Sequence, residues 1–185
     1  MRLDHIAYRT KDRRKTADFF AGAFGYSVET EFEINFDDGS RADCVTLTPP
    51  EKRHPDIQLW TYFALHPAPY GETIKTEYHA PPEIFISDGP DDSIVGEWVK
   101  ERGGVGGIHH IAYQVDDVEL VMDEWKKMGY AEFLSDKPLE CLGLKQVFTK
   151  PSELTGVIYE LINRTGKGFC EDNVKELMES TKKLS

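Results

Sequence analysis

Three things are scarce in this chain, and each shortage removes a class of protein. Cysteine occurs only as Cys44, Cys141 and Cys170, an odd and scattered set with no CxxC pair. Neither a disulfide framework nor a thiolate zinc site is therefore expected, and a reducing, cytoplasmic setting is the simplest reading. Basic charge is also short: 22 Lys and Arg face 33 Asp and Glu, for a net charge of -11. Nucleic acids and anionic membranes need a positive field, so neither partner is expected, whereas a small-molecule substrate is. Long apolar runs are missing too. Arg2, Asp4 and His5 interrupt the first residues, so no membrane span and no signal segment are predicted. What remains is 185 residues with 39% hydrophobic content, enough for one domain or two small modules around a shared core.

The chain is organised by an internal repeat. His5, Ile6, Ala7, Tyr8 and Asp12 recur as His110, Ile111, Ala112, Tyr113 and Asp117, each 105 residues further on. Both copies read as a strand that carries a histidine and runs into a helix capped by an aspartate. In the first copy a helix follows from Asp12, with Ala17, Phe20, Ala21 and Phe24 at helical spacing and Gly25 as its C-cap. Strands at 27–36 and 41–48 form a hairpin around Asp37-Asp38-Gly39-Ser40, and a further strand covers 83–87. Ile94, Val95, Trp98 and Val99 make a short helix before the glycines at 103 and 104. In the second copy Val118, Val121, Met122, Trp125 and Met128 form a helical stripe ending at Gly129. Strands are expected at 131–135, 144–149 and 156–162, and a charged helix at 173–184.

The fold class is therefore α+β: two βαβββ modules, 1–104 and 105–185, whose sheets form a cup around one site, with a C-terminal helix. Residues 49–80 read as an inserted loop region. It is rich in proline and aromatics, contains a short strand near 57–63, and has the character of a lid.

Four residues carry the candidate chemistry. His5 and His110 sit in the first strand of each module; Glu83 and Glu160 lie in the last. Glu160 is flanked by Val157, Ile158, Tyr159, Leu161 and Ile162, and a carboxylate in such a run needs a partner or a metal. Glu83 sits similarly before Ile84, Phe85 and Ile86. Imidazoles and carboxylates on rigid strands suit one divalent ion (Fe, Co, Ni, Mn or Zn), so His5, Glu83, His110 and Glu160 are the expected ligands. His109 competes with His110, but strand alternation sends it to the opposite face and its counterpart is Asp4. His54, His66 and His79 fall in the proline-rich segment and read as solvated or lid residues. Gly103 to Gly107 precede a strand rather than a helix, so they read as a hinge and not a phosphate loop.

These residues resemble the vicinal-oxygen-chelate superfamily, which includes glyoxalase I, methylmalonyl-CoA epimerase, extradiol dioxygenases and 4-hydroxyphenylpyruvate dioxygenase. Asp92-Ser93-Ile94-Val95, Gly107-Ile108-His109-His110-Ile111-Ala112-Tyr113 and Val115-Asp116-Asp117 are similar to methylmalonyl-CoA epimerase. Gln146-Val147-Phe148-Thr149-Lys150-Pro151, Tyr159-Glu160-Leu161-Ile162, Arg164, Gly168-Phe169 and Asn173 resemble the catalytic half of hydroxyphenylpyruvate dioxygenase, including its closing helix.

The first resemblance implies four ligands, with two substrate oxygens chelating the metal. Isomerase, epimerase or lyase chemistry would then proceed through an enediolate, Glu83 or Glu160 moving the proton, and this is the leading expectation because Glu83 lies where a fourth ligand belongs. The second implies a facial triad of His5, His110 and Glu160, with Gln146, Phe148 and Phe169 beside a 2-oxo acid and Fe(II) and O2 as reactants. Where that dioxygenase carries substrate-contacting amides, this chain has Ser87, Ile94 or Gly96, and His109. A metal-free binding protein is the alternative from another class. By analogy with the superfamily, a homodimer is allowed.

Overall fold

A computed structural model describes residues 1–50, 81–141, 143–165 and 169–181, together with the backbone of two strands at 61–67 and 73–79. In chain order the elements are β1 (Arg2–Thr10), α1 (Arg13–Phe24), β2 (Ser27–Asn35), β3 (Arg41–Thr48), β4 (Thr61–Pro67), β5 (Thr73–His79), β6 (Glu83–Asp88) and α2 (Ile94–Glu101). They continue with β7 (Gly106–Gln114), α3 (Val118–Met128), β8 (Leu139–Cys141), β9 (Leu144–Phe148), β10 (Ile158–Arg164) and α4 (Glu171–Thr181).

Eight strands form one curled half-barrel sheet in the order β2-β3-β6-β1-β7-β10-β9-β8. β1 and β7 lie at its centre and run antiparallel, while β6 and β10 flank them in parallel. The sheet thus reads outward from a central pair that carries the duplicated histidines.

Local signals build the flanking helices the same way twice. Asp12 accepts from the Lys15 amide and Asp117 from the Leu120 amide, each satisfying an orphan donor of the first turn. Gly25 and Gly129 close the helices at φ of 75° and 68°, a left-handed conformation that favours glycine. α1 covers the outer face through Ala17, packed with Val45, Leu47, Ile84 and Ile86; α3 does so through Val118 and Met122 against Val147 and Leu161. Phe24 and Met128, expected on the buried stripes, are exposed, because each sits in the last turn beyond the sheet's reach.

The inner face is closed from the C-terminus. α4 packs Val174 and Met178 on Ala7 and Phe85, and Leu177 on Phe148 and Ile158. Burying each such side chain is worth about 1.5–3 kcal/mol, which is why this charged helix docks at all. With helices on both faces β6 is buried along nearly its whole length, Glu83 included.

Two expectations require correction, and a third is only partly covered by the described residues. The strand at 131–135 reduces to one bridge, Phe133 with Thr149, and the edge strand is β8 instead, after the turn around Pro138. Of the strand expected near 57–63, residues 61–63 fall in β4, which pairs with β5 as a separate two-stranded sheet, and 57–60 lie outside the described residues. Cys141 and Cys170 form a disulfide, bringing together the end of the edge strand and the entry to α4, which are 29 residues apart. The lid role of 49–80 and the roles of His54, His66 and His79 lie outside the described side chains. Among the described residues, no helix is long and apolar enough to cross a membrane.

Candidate metal centre

β1 and β7 do not pair regularly. The register steps from Leu3↔Tyr113 to His5↔Ala112, and from Ala7↔His110 to Tyr8↔Ile108, leaving Asp4 and His109 as the extra residues of two bulges. A bulge turns the extra side chain towards its neighbour's side. His109 therefore does not face away from His110 as strand alternation predicted. Its Nδ1 lies 2.9 Å from the His110 Nδ1, and both rings line the cavity. In the same way Asp4 Oδ1 lies 2.7 Å from His5 Nδ1.

These contacts orient the opposite ring nitrogens. His5 Nε2 and His110 Nε2 are 3.3 Å apart, and Glu160 Oε2 is 3.3 Å from the first and 3.4 Å from the second. All three residues are buried, Glu160 with 1% exposure. The corners of a triangle with such sides lie about 1.9 Å from its centre, close to the roughly 2.0–2.2 Å at which imidazole and carboxylate bind divalent ions. The donor set and its second layer, Asp4 and His109 on the two Nδ1 atoms, fit a metal.

Glu83 lies opposite His5 in the register but outside this group of three. Its carboxylate pairs with Arg164 Nη2. Arg164 also grips Asp4 in a fork, from Nε to Oδ2 at 3.0 Å and from Nη2 to Oδ1 at 2.8 Å. One guanidinium thus holds two buried carboxylates, of which only Asp4 contacts a candidate ligand.

Burial alone would lower the His5 pKa, but Glu160 and Asp4 outweigh it and raise it to about 9. Burial, with His5 and Arg9, pushes His110 well below its ordinary value, so it is neutral. Burial raises Glu160, opposed by the His5 cation. Burial would raise Asp4 as well, yet His5 and Arg164 hold it below the usual carboxylate range.

The group opens into a cavity of about 410 Å³, part of it solvent-open. Gln146, Phe148 and Phe169 all line it. Phe169 meets His5 edge-on at 4.9 Å and Phe148 meets His110 at 5.6 Å. Cys170, next to Phe169, is tied to β8 by the disulfide, which fixes that end of the wall. Ser87 and His109 line the cavity, whereas Ile94 and Gly96 do not. Two residues, one lining and one supporting, had no role assigned from the sequence. Arg9 follows His5 and Ala7 at period two, a signal that was there to be read; the Arg164 fork depends on side chains far apart in sequence.

A family model, described as the Glyoxalase/Bleomycin resistance protein/Dioxygenase superfamily, matches residues 4–148. The chain belongs to that superfamily. An ethylmalonyl-CoA/methylmalonyl-CoA epimerase of Cereibacter sphaeroides is 34% identical over 62 residues, which are 33% of this chain and 46% of the relative. The match thus spans about half the length of that curated relative. Among solved superfamily structures, a methylmalonyl-CoA epimerase superposes with a TM-score of 0.62 at 20% identity, covering 90% of this chain and 97% of the other. A mutant 4-hydroxymandelate synthase from Streptomyces coelicolor gives 0.69 at 18% identity, covering 99% of this chain and 54% of that one. These likenesses establish the superfamily fold.

Proposed function

We propose that this chain is a divalent-metal enzyme of the dioxygenase type, acting on a 2-oxo acid with Fe(II) held by His5, His110 and Glu160. The observation that carries this reading is the engagement of Glu83 by Arg164, which leaves three protein donors and therefore three open positions. The near-complete coverage by the 4-hydroxymandelate synthase superposition, closing helix included, supports it. A bound Fe(II) supplies the Lewis acidity and one-electron chemistry that O2 requires.

The chain's own residues do the rest. Asp4 holds the His5 proton on Nδ1, so that Nε2 keeps its lone pair for the centre. His109 does the same for His110. Gln146 offers an amide to a substrate oxygen, and Phe148, Phe169 and α4 keep water off the reacting atoms. We read 1–104 and 105–185 as duplicated modules, each supplying one histidine.

A second reading, proton transfer next to a carbonyl as in an epimerase, is favoured by the match to the Cereibacter sphaeroides epimerase. It needs Glu83 released from Arg164 to serve as fourth ligand or base. Relatives solved with 2-nitronate-propionyl-CoA and methylmalonyl-CoA make acyl-CoA esters its natural probes.

Oxygen separates the two. Fe(II)-loaded protein is expected to consume O2 when given aryl or alkyl 2-oxo acids. Exchange of solvent deuterium into a carbonyl-adjacent carbon, with no O2 uptake, would establish the epimerase-type reading instead. Failure to bind any divalent metal would leave a binding protein.

A further inference from the structure

The cavity has a second charged end. His5, Ala7 and Arg9 alternate along β1, so Arg9 lies on the same inner face as His5, roughly 13 Å further along the strand. Its side chain is a buried guanidinium, with 2% exposure. Among the described residues it has no carboxylate partner. The side-chain hydrogen bond it makes among the described residues runs from Nη2 to the Thr181 hydroxyl at 3.1 Å; the Trp98 ring lies 5.7 Å away, and Arg102 stands over that same ring at 3.7 Å from its centre. A buried cation beside a second cation is costly unless an anion joins it.

His109 supplies another donor to the same wall. With His110 Nε2 facing the centre, the His110 Nδ1–H donates to His109 Nδ1, which leaves the His109 proton on Nε2. That Nε2 is buried with no hydrogen-bond partner among the described residues. The Trp98 ring packs against both groups, at 5.7 Å from the His109 ring. Burial and Arg102 lower the Arg9 pKa to about 9, so the group is still a cation at neutral pH.

We infer that Arg9, with the His109 Nε2–H beside it, receives a carboxylate of the substrate, so that the substrate is a small dicarboxylate held at both ends. This deepens the proposed function, since it takes the other end of the substrate to lie at His5, His110 and Glu160. The apolar walls between the ends, Phe85, Phe148 and Phe169, suit a short methylene chain.

Two measurements test it. In metal-stripped protein at constant ionic strength, replacing chloride by acetate should raise the melting temperature by about 2–4 °C, and Arg9→Gln should abolish the rise. In Co(II)-loaded protein, glutarate should bind at least about tenfold more tightly than butyrate; Arg9→Gln should remove the preference and Arg9→Lys should restore part of it. Equal binding of the two acids to wild type, or a preference that survives Arg9→Gln, overturns the inference. If Co(II) does not bind, the metal reading fails while the acetate melt still decides Arg9. Should Arg9→Gln not fold, the wild-type glutarate and butyrate series decides by itself.

Discussion

Asp4–His5 in β1 and His109–His110 in β7 occupy corresponding bulges of the duplicated chain, yet they handle charge in opposite ways. The aspartate is tied into the Arg164 fork and, together with the larger influence of Glu160, raises the pKa of its imidazole to about 9. The histidine that replaces it offers no charge, and buried among Arg9 and His5 the second imidazole stays neutral. Duplication therefore supplies the matched geometry, while unequal surroundings set the electrostatics: Glu160 and Asp4 act on His5, whereas burial, His5 and Arg9 act on His110. A metal arriving at this site must displace a proton from one half only.

The coarsest way to break the comparison is to remove one half. His5→Ala and His110→Ala should each lower divalent-metal affinity by more than about 100-fold, beyond the effect of losing an outer partner. Co(II) titration followed by visible absorption reads this directly. A variant that keeps affinity within tenfold of wild type would put its histidine outside the centre.

pH sharpens the asymmetry. The folded-state pKa of His5 is raised from 6.5 to about 9, so the stability contributed by its protonated form is complete below pH 6.5 and is lost as pH rises through about 9. Metal affinity runs the other way, because binding displaces that proton. It should increase about tenfold per pH unit across this window and then level off. His110, already neutral, adds nothing there. Melting of stripped protein and Co(II) titrations at matched pH values check the two slopes; a flat affinity profile above pH 6.5 would mean His5 is not the protonated group.

Asp4→Asn then separates the halves without touching a ligand. It should reduce metal affinity by roughly 10–100-fold and move the levelling-off to lower pH, while His109→Gln should cost under about tenfold and leave the profile where it is. Equal losses in the two variants, judged by the same titration, would erase the proposed division of labour.

Much of this was legible in one-dimensional patterns, and the misses share a cause. Asp12, Asp117, Gly25 and Gly129 act within a turn of where they stand, so their caps were readable. His5, His110 and Glu160 stood out through the repeat and through a carboxylate set in an apolar run. Alternation, by contrast, assumes a regular ladder. The bulge at His109 arises only when β7 pairs with β1 a hundred residues away, and it reverses which side that ring faces. Cys141 and Cys170 are likewise neighbours only because α4 folds back against β8. Glu83 was placed on its strand, but its partner Arg164 lies 81 residues on, and pairing at that range has no local signature.

Glu83→Gln is the smallest and most discriminating change. With the carboxylate committed to Arg164, its neutral isostere should alter Co(II) affinity by less than about threefold, since none of the three donors is touched. Stability should still fall by about 1–3 kcal/mol, because a charge-assisted bond to a buried guanidinium is weakened while Arg164 keeps its fork on Asp4. Thermal melting and metal titration on the same preparation give both numbers. A loss of affinity beyond tenfold would instead place Glu83 among the ligands when metal is present. Two open positions would then replace three, and the second reading, proton transfer next to a carbonyl, would take the place of the dioxygenase.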